Sequence, residues 1–275
     1  MSKKKIRCVL DTETAGGLSK PLPYDFSYIL YEGAEMREVC RRSFIIKEIF
    51  LDATLMDSAY YAQKVPSYWE DIWTGKKQLV SAYFARKTFF DDLAQFNCKE
   101  CYAYNMAFDR RALNNLMNFS TDGRYKWFWK KGVRLYCIWN MAACAFLAGN
   151  DYYKTAIAQG WVSEKGNILT NAECAYRFLT GNFEFAEQHK GIDDSDIEAS
   201  ILKKCLAMHK KLDKTPRGGV WQKAQKINRR NQKKVAAKRI EIQSEIEELE
   251  KELKELRKKL RSEERRVGKE CPYRC

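Results

Sequence analysis

The chain has 275 residues, of which 45% are hydrophobic and 13% aromatic, and its 50 Lys+Arg against 36 Asp+Glu give a formal net charge of +14. This composition excludes a mostly disordered chain, the length allows one large domain or two small ones, and no apolar run reaches the eighteen residues of a membrane-spanning helix. Polar Asp11 to Thr14 follow Met1-Ser2-Lys3-Lys4-Lys5 too closely for the apolar stretch of a secretory signal, so a cytoplasmic location without a membrane is expected.

Ile6-Arg7-Cys8-Val9-Leu10 is a short apolar run ending in Asp11 and predicts a buried strand. Residues 24–31 and 39–46 are two more β-rich runs, separated by the polar turn Glu32-Gly33-Ala34-Glu35. Three strands with no helix between them predict an antiparallel meander. Helices are predicted over 51–63 and 77–96, the second from the wide apolar face of Leu79, Tyr83, Phe89, Phe90 and Leu93. Cys98 and Cys101 have CxxC spacing, but no second pair completes a zinc site. The ten cysteines read as free, mostly buried thiols of a reducing compartment. A strand over 101–105, a helix over 110–117 and a fifth strand over 134–138 follow. Helical pieces then cover 139–147, 152–159 and 171–179, and a last helix runs from near Asp194 to about Lys210. The expected fold class is α/β, a mixed five-stranded sheet flanked by helices, with a C-terminal helical extension.

The charge is concentrated late in the chain. Residues 222–239 carry eight positive charges and no acid, whereas 1–221 carry only +6. From Ile242 the residues Ile246, Leu249, Leu253, Leu256 and Leu260 follow at 4-3-4-3-4 spacing, which predicts a coiled-coil helix over 240–260. A single amphipathic helix packed on its own domain is the alternative. Residues 261–275 break the heptad, resemble the conceptual translation of a sequencing-adapter oligonucleotide, and are set aside as non-native. The expected division is therefore 1–214, a basic linker or helix 215–239, the coiled coil 240–260 and the tail 261–275.

Four acids stand out by position. Asp11 and Glu13 lie two residues apart at a strand end, so both side chains take one face of the extended chain. Asp109 sits between a strand and a helix, and Asp194 opens the last helix, five residues after His189. Any one such acid commonly caps or turns the chain. As a set, hard oxygen donors from separate elements suit Mg²⁺ or Mn²⁺, and a paired-metal site suits in-line displacement at phosphorus, with the histidine accepting a proton from water. The stretch Arg124-Tyr-Lys-Trp-Phe-Trp-Lys-Lys131 interleaves aromatics with positive charge, which suits either single-stranded nucleic acid or a core with lysines in water.

Val9-Leu10-Asp11-Thr12-Glu13-Thr14, Tyr104-Asn105-Met106-Ala107-Phe108-Asp109 and His189-Lys190-Gly191-Ile192-Asp193-Asp194 resemble, in order, the three motifs of the DnaQ-like 3′–5′ exonucleases. This is the DEDD family in its histidine form (DEDDh), on a ribonuclease H-like fold; bacteriophage-encoded members that serve DNA replication or proofreading are similar too. The resemblance implies that 1–214 is an exonuclease domain hydrolysing terminal phosphodiester bonds. It makes Asp11, Glu13, Asp109 and Asp194 the ligands of two Mg²⁺ or Mn²⁺ ions and His189 the general base. Asn105 and Thr12 would contact substrate, Gly17 would let the backbone approach it, and Leu18 would pack on a base. The family usually has alanine where this chain has Gly191 and Ser195, and Asp193 and Asp196 crowd the third motif. Helical phase favours Asp194, since Ile197 and Ile201 follow on its face.

The expected partners are DNA, single-stranded or frayed at its 3′ end, with RNA as the alternative substrate, and a second copy or a replication protein on the 240–260 helix. A non-catalytic, coiled-coil nucleic-acid binder is the third reading. Clustered carboxylates argue against it, because a binding module gains nothing from them beside phosphate.

Overall fold

The computed structural model describes residues 4–187, 189–208, 210–216 and 220–267. The chain separates into two units, Met1–Gln225 and Lys226–Cys275. The first is built on a sheet whose long central strand, β1 (Ile6–Ala15), pairs antiparallel with β2 (Leu22–Glu32), which pairs antiparallel with β3 (Arg37–Ile46). The predicted meander is thus observed, and its β2–β3 turn places Gly33 at φ +74°, where a glycine costs nothing.

The mixed sheet flanked by helices is as expected, but it has six strands. Gln78–Val80, read from sequence as the start of a helix, forms β4, parallel to the edge of β3. Ser81 then caps the helix by accepting the Phe84 N–H at 3.1 Å, so the apolar face used to predict one long helix is shared by a strand and a helix. Parallel strands β5 (Glu100–Ala103) and β6 (Arg134–Cys137) complete the order β4-β3-β2-β1-β5-β6.

The helical region predicted over 51–63 is interrupted. Short helices α1 (Lys47–Phe50) and α2 (Ala53–Asp57) are divided by Asp52, whose carboxylate caps α2 through the Leu55 N–H. Helix α3 (Val65–Trp73) was not anticipated; Pro66 stands in its first turn, where a missing N–H costs least. Helices α4 (Ala82–Gln95), α5 (Met106–Ser120), α6 (Ile138–Ala142), α7 (Asn150–Ala158) and α8 (Ala172–Thr180) match predicted segments to within a few residues. Helix α9 (Gly191–Ala207) begins three residues before Asp194, so that acid lies inside its first turn.

Strand alternation divides the core. Leu10 and Phe26 join Phe44, Phe89 and Leu113 in one apolar cluster, while Val9 and Ile29 join Met141, Ile197 and Ile201 in another. Each fully buried aromatic such as Phe26 contributes about 1.5–3 kcal/mol. Toward the end of β1 the second face turns polar: Asp11 lies opposite Ser27, and Glu13 opposite Asp25. Buried Asp25 pairs with buried Lys77 at 2.8 Å, bonds Ser27 at 2.9 Å and accepts the Gly191 N–H at 3.2 Å. This ion pair fixes the start of α9 against β2, and removing either partner would strand a buried charge.

Gly191 marks a close approach of α9 to the sheet. A Cβ would lie 3.3 Å from Ser27 Cβ and Oγ and 3.4 Å from the Asp11 carbonyl oxygen, closer than a methyl sits comfortably. Helix and strand therefore approach closely where the acids gather.

Eight described cysteines are free thiols, and Cys98 and Cys101 are buried in the core. Among the described residues no helix is long and apolar enough to cross a membrane. Helix α10 (Val220–Val267), whose residues from Lys226 on belong to the second unit, carries the predicted heptad residues Ile242, Ile246, Leu249, Leu253, Leu256 and Leu260, each 43–64% exposed. Of the segment set aside as non-native, 268–275 lies outside the described residues.

Candidate active site

β1 carries Asp11 and Glu13, the first turn of α5 carries Asp109, and the first turn of α9 carries Asp194. Asp109 and Asp194 are buried, and Thr12 donates to Asp109 Oδ1 at 2.9 Å. The four carboxylates repel one another in a poorly solvated place. Burial, followed by the charges of Glu198, Asp109, Glu13 and Asp194, holds Asp11 well above the usual carboxylate range. Burial and Asp194 push Glu13 up to about 9. Burial pushes Asp109 to about 7 against the Thr12 hydrogen bond, and burial with the Asp25 charge does the same to Asp194. Lys64 opposes the shift at Glu13 and Asp194.

Such crowding is costly for the protein alone and favourable once a divalent cation compensates it. The donors fit: all are hard oxygens, and Asp194 Oδ1 is buried without a hydrogen-bond partner among the described residues. Ligand atoms of Glu13, Asp194 and His189 lie within 4.8 Å of one another.

Glu198 was missed from sequence. It stands four residues after Asp194 on the same face of α9, is buried, and leaves Oε2 without a partner among the described residues. Burial and then the Asp109 charge raise it well above the ordinary glutamate range. Its i,i+4 spacing from Asp194, on the helix face that Ile197 and Ile201 continue at i+3 and i+7, was the available signal. Asp196 is drawn away, with Arg41 at 2.9 Å and the Tyr31 hydroxyl at 3.1 Å. Asp193, half-buried, acts on Asp194 through its charge.

His189 sits in the left-handed region at φ +49°, unusual outside glycine, and its ring stacks on Tyr61 with centroids 4.3 Å apart and planes at 15°. Its Nδ1 lies 3.8 Å from Glu187 Oε2. Burial and the positive Lys64 lower its pKa below the usual histidine value, which favours the neutral imidazole. Burial and the Asp194 charge push Glu187 up to about 8. Neither Tyr61 nor Lys64 has a sequence signal, because both reach His189 only through the tertiary fold.

The remaining predicted positions differ in access. Asn105 is exposed at the start of α5, and its carbonyl accepts the Phe108 N–H at 2.7 Å. Thr12 is buried with its hydroxyl on Asp109, so its side chain orients an acid. Gly16, at φ +80°, makes the turn after β1, Gly17 is open, and Leu18 is 80% exposed. The aromatic stretch divides between both of its readings: Phe128 is fully buried in the core, whereas Tyr125 and Trp127 are exposed.

No family model and no curated protein matches the sequence. Among solved structures, apo exonuclease I is similar with a TM-score of 0.47 at 14% identity, covering 74% of this chain and 42% of that one. E. coli exonuclease I in complex with a dA16 oligonucleotide gives 0.45 at 14% identity, with 73% and 40% covered. Cell-death related nuclease 4 (CRN-4) gives 0.42 at 10% identity, with 76% and 66% covered. The chain thus spans about two fifths of the length of the exonuclease I structures.

Proposed function

We propose that the chain is a metal-dependent 3′–5′ exonuclease that removes terminal nucleotides from DNA, with Asp11, Glu13, Asp109 and Asp194 holding two Mg²⁺ or Mn²⁺ ions. The observation that carries this reading is the gathering of these acids, from β1 and the first turns of α5 and α9, with His189 beside Glu13 and Asp194. When bound, the cations would lower the pKa of the attacking water and neutralise charge developing on the phosphate and the leaving oxygen. His189 takes the proton of the water as its oxygen attacks phosphorus and the P–O3′ bond breaks. The nucleotide leaves as a 5′-monophosphate and the shortened strand keeps a 3′-hydroxyl. Tyr61 holds the imidazole plane, and Thr12 orients Asp109. Exposed Leu18, after the Gly16-Gly17 turn, is placed to pack on the terminal base.

A 5′-labelled DNA single strand should shorten stepwise with Mg²⁺ or Mn²⁺ and stay intact in EDTA, while a 3′ label is released at once. Internal cuts, or loss of the 5′ label first, would overturn the polarity. Shortening of RNA alone would transfer the reading to RNA. The exposed apolar stripe of α10 supports pairing with a second copy or another helix.

A second expectation concerns stability. Burial pushes Asp109 up to about 7, and burial with neighbouring acids pushes Asp194 up to about 7 and Glu13 up to about 9, against 3.8 and 4.5 as ordinary values. Folded pKa values above the unfolded ones mean that the metal-free fold binds more protons than the unfolded chain. Its stability therefore falls as pH rises from about 4 to about 9. Mn²⁺ binds the ionised acids, so its increment in melting temperature should grow over the same window. Thermal melts in EDTA and in Mn²⁺ across this range read both; an increment independent of pH would contradict the assignment of these acids as ligands.

A further inference from the structure

On its outward side α5 presents Ala107, Arg110, Arg111, Asn114, Asn115 and Asn118, a stripe at i, i+3, i+4, i+7, i+8 and i+11, while its inner side carries Asp109. Opposite the stripe stand Lys126 and Trp127, and the two walls enclose a cavity of about 480 Å³, within the usual range for small-molecule sites. Among the described residues three cations and no acid line it, in contrast with the carboxylates on the other side of the same helix.

The walls are held in place by the core. Phe128, next to Trp127, packs among Phe26, Phe89 and Phe90 with ring centroids 5.6–5.7 Å apart. Its N–H donates to Asn114 Oδ1 at 2.9 Å, and its carbonyl accepts Arg86 Nε at 2.8 Å. Arg111 lies over the Phe108 ring at 5.6 Å. Trp127 therefore stays 65% exposed on a fixed backbone, an arrangement that keeps down the ordering cost of binding.

We propose that this cavity is a second nucleotide subsite, which takes one unpaired nucleotide of a DNA strand whose 3′ end lies in the carboxylate site. This rests on the exonuclease reading above. The base stacks on the Trp127 indole, and the phosphates on either side of it meet Arg110, Arg111 and Lys126. An exposed indole beside clustered cations, with no acid, is the chemistry of single-strand binding; a duplex offers no free base face.

The test uses the full chain in EDTA, so that binding is read without hydrolysis, by fluorescence anisotropy of a labelled twelve-nucleotide oligothymidylate. Stacking is worth about 1–3 kcal/mol per base, so Trp127→Ala should weaken binding roughly five- to a hundredfold. Arg111→Ala with Lys126→Ala should flatten the salt dependence of Kd, by about 0.7 in log–log slope per lost phosphate contact. A blunt duplex should bind Trp127→Ala as it binds the parent protein. An unchanged Kd for the single strand, or equal weakening for the duplex, overturns the subsite. Failure of the exonuclease reading shows separately, as lack of Mg²⁺- or Mn²⁺-dependent hydrolysis of the p-nitrophenyl ester of thymidine 5′-monophosphate, a substrate too short to reach the cavity.

Discussion

Asp11→Asn is expected to lower hydrolysis by about a thousandfold or more and, in the same protein, to raise the melting temperature of the metal-free form at about pH 8. The first effect follows from the proposed chemistry: a lost ligand removes several kcal/mol of transition-state stabilisation, and each 1.36 kcal/mol is about tenfold in rate. The second follows from the electrostatics of the chain by itself. Asp11 is pressed by burial and by the charges of Glu198, Asp109, Glu13 and Asp194, and a neutral amide of nearly the same shape relieves that repulsion. In a domain of this size each kcal/mol relieved raises the melting temperature by about 2–4 °C. The Mn²⁺ increment should shrink in the variant. A purely structural carboxylate would behave in the opposite way, because its loss would destabilise the fold. Wild-type rates in Asp11→Asn would defeat the metal assignment, and a lower metal-free melting temperature would defeat the account of the crowding.

His189→Ala should lose about a hundredfold or more in kcat, the usual contribution of a positioned base, with KM little changed. The Mn²⁺ increment separates two roles for a side chain within 4.8 Å of Glu13 and Asp194. If the increment persists while the rate falls, the imidazole moves a proton. If both are lost, it acts as a ligand, and a loss of less than about tenfold excludes the base. Burial and Lys64 hold the imidazole pKa below its usual value, so the acid limb of the wild-type pH–rate profile should lie lower than an exposed histidine would place it. In the variant that limb should vanish.

Much of this was legible in the chain. The meander β1–β3 reads from three β-rich runs with no helix between them, since strand pairing there needs only a local turn. Asp11, Glu13, Asp109, Asp194 and His189 were singled out by their expected place at strand ends and helix starts; the fold instead carries Asp11 and Glu13 inside β1, which runs on to Ala15, and Asp109 and Asp194 inside the first turns of α5 and α9. β4 was not legible. Three residues gain strand geometry only because the edge of β3 offers them a partner, and their apolar pattern suits a helix equally. The break at Asp52 and the helix at Pro66 are local signals that were readable in the sequence and were overridden by apolar periodicity.

By itself, then, the amino-acid sequence determined which residues are the candidates for the chemistry, because residue type and spacing along one strand or helix are local properties. It also determined that residues 1–221 carry only +6 of the +14 net charge. The tertiary structure decided the environment. Asp193 and Asp196 both neighbour Asp194 in the chain, yet Arg41 draws Asp196 outward, while Glu198, four residues on, turns into the acid cluster. Tyr61 and Lys64 reach His189 across more than a hundred residues, and Lys77 meets Asp25 across fifty-two. The aromatic stretch at 124–131 separated into a buried Phe128 and an exposed Trp127 only when the core closed on it. Burial and charge proximity set pKa values, ring positions and access, and both are sums over residues distant in sequence, so no local pattern could supply them.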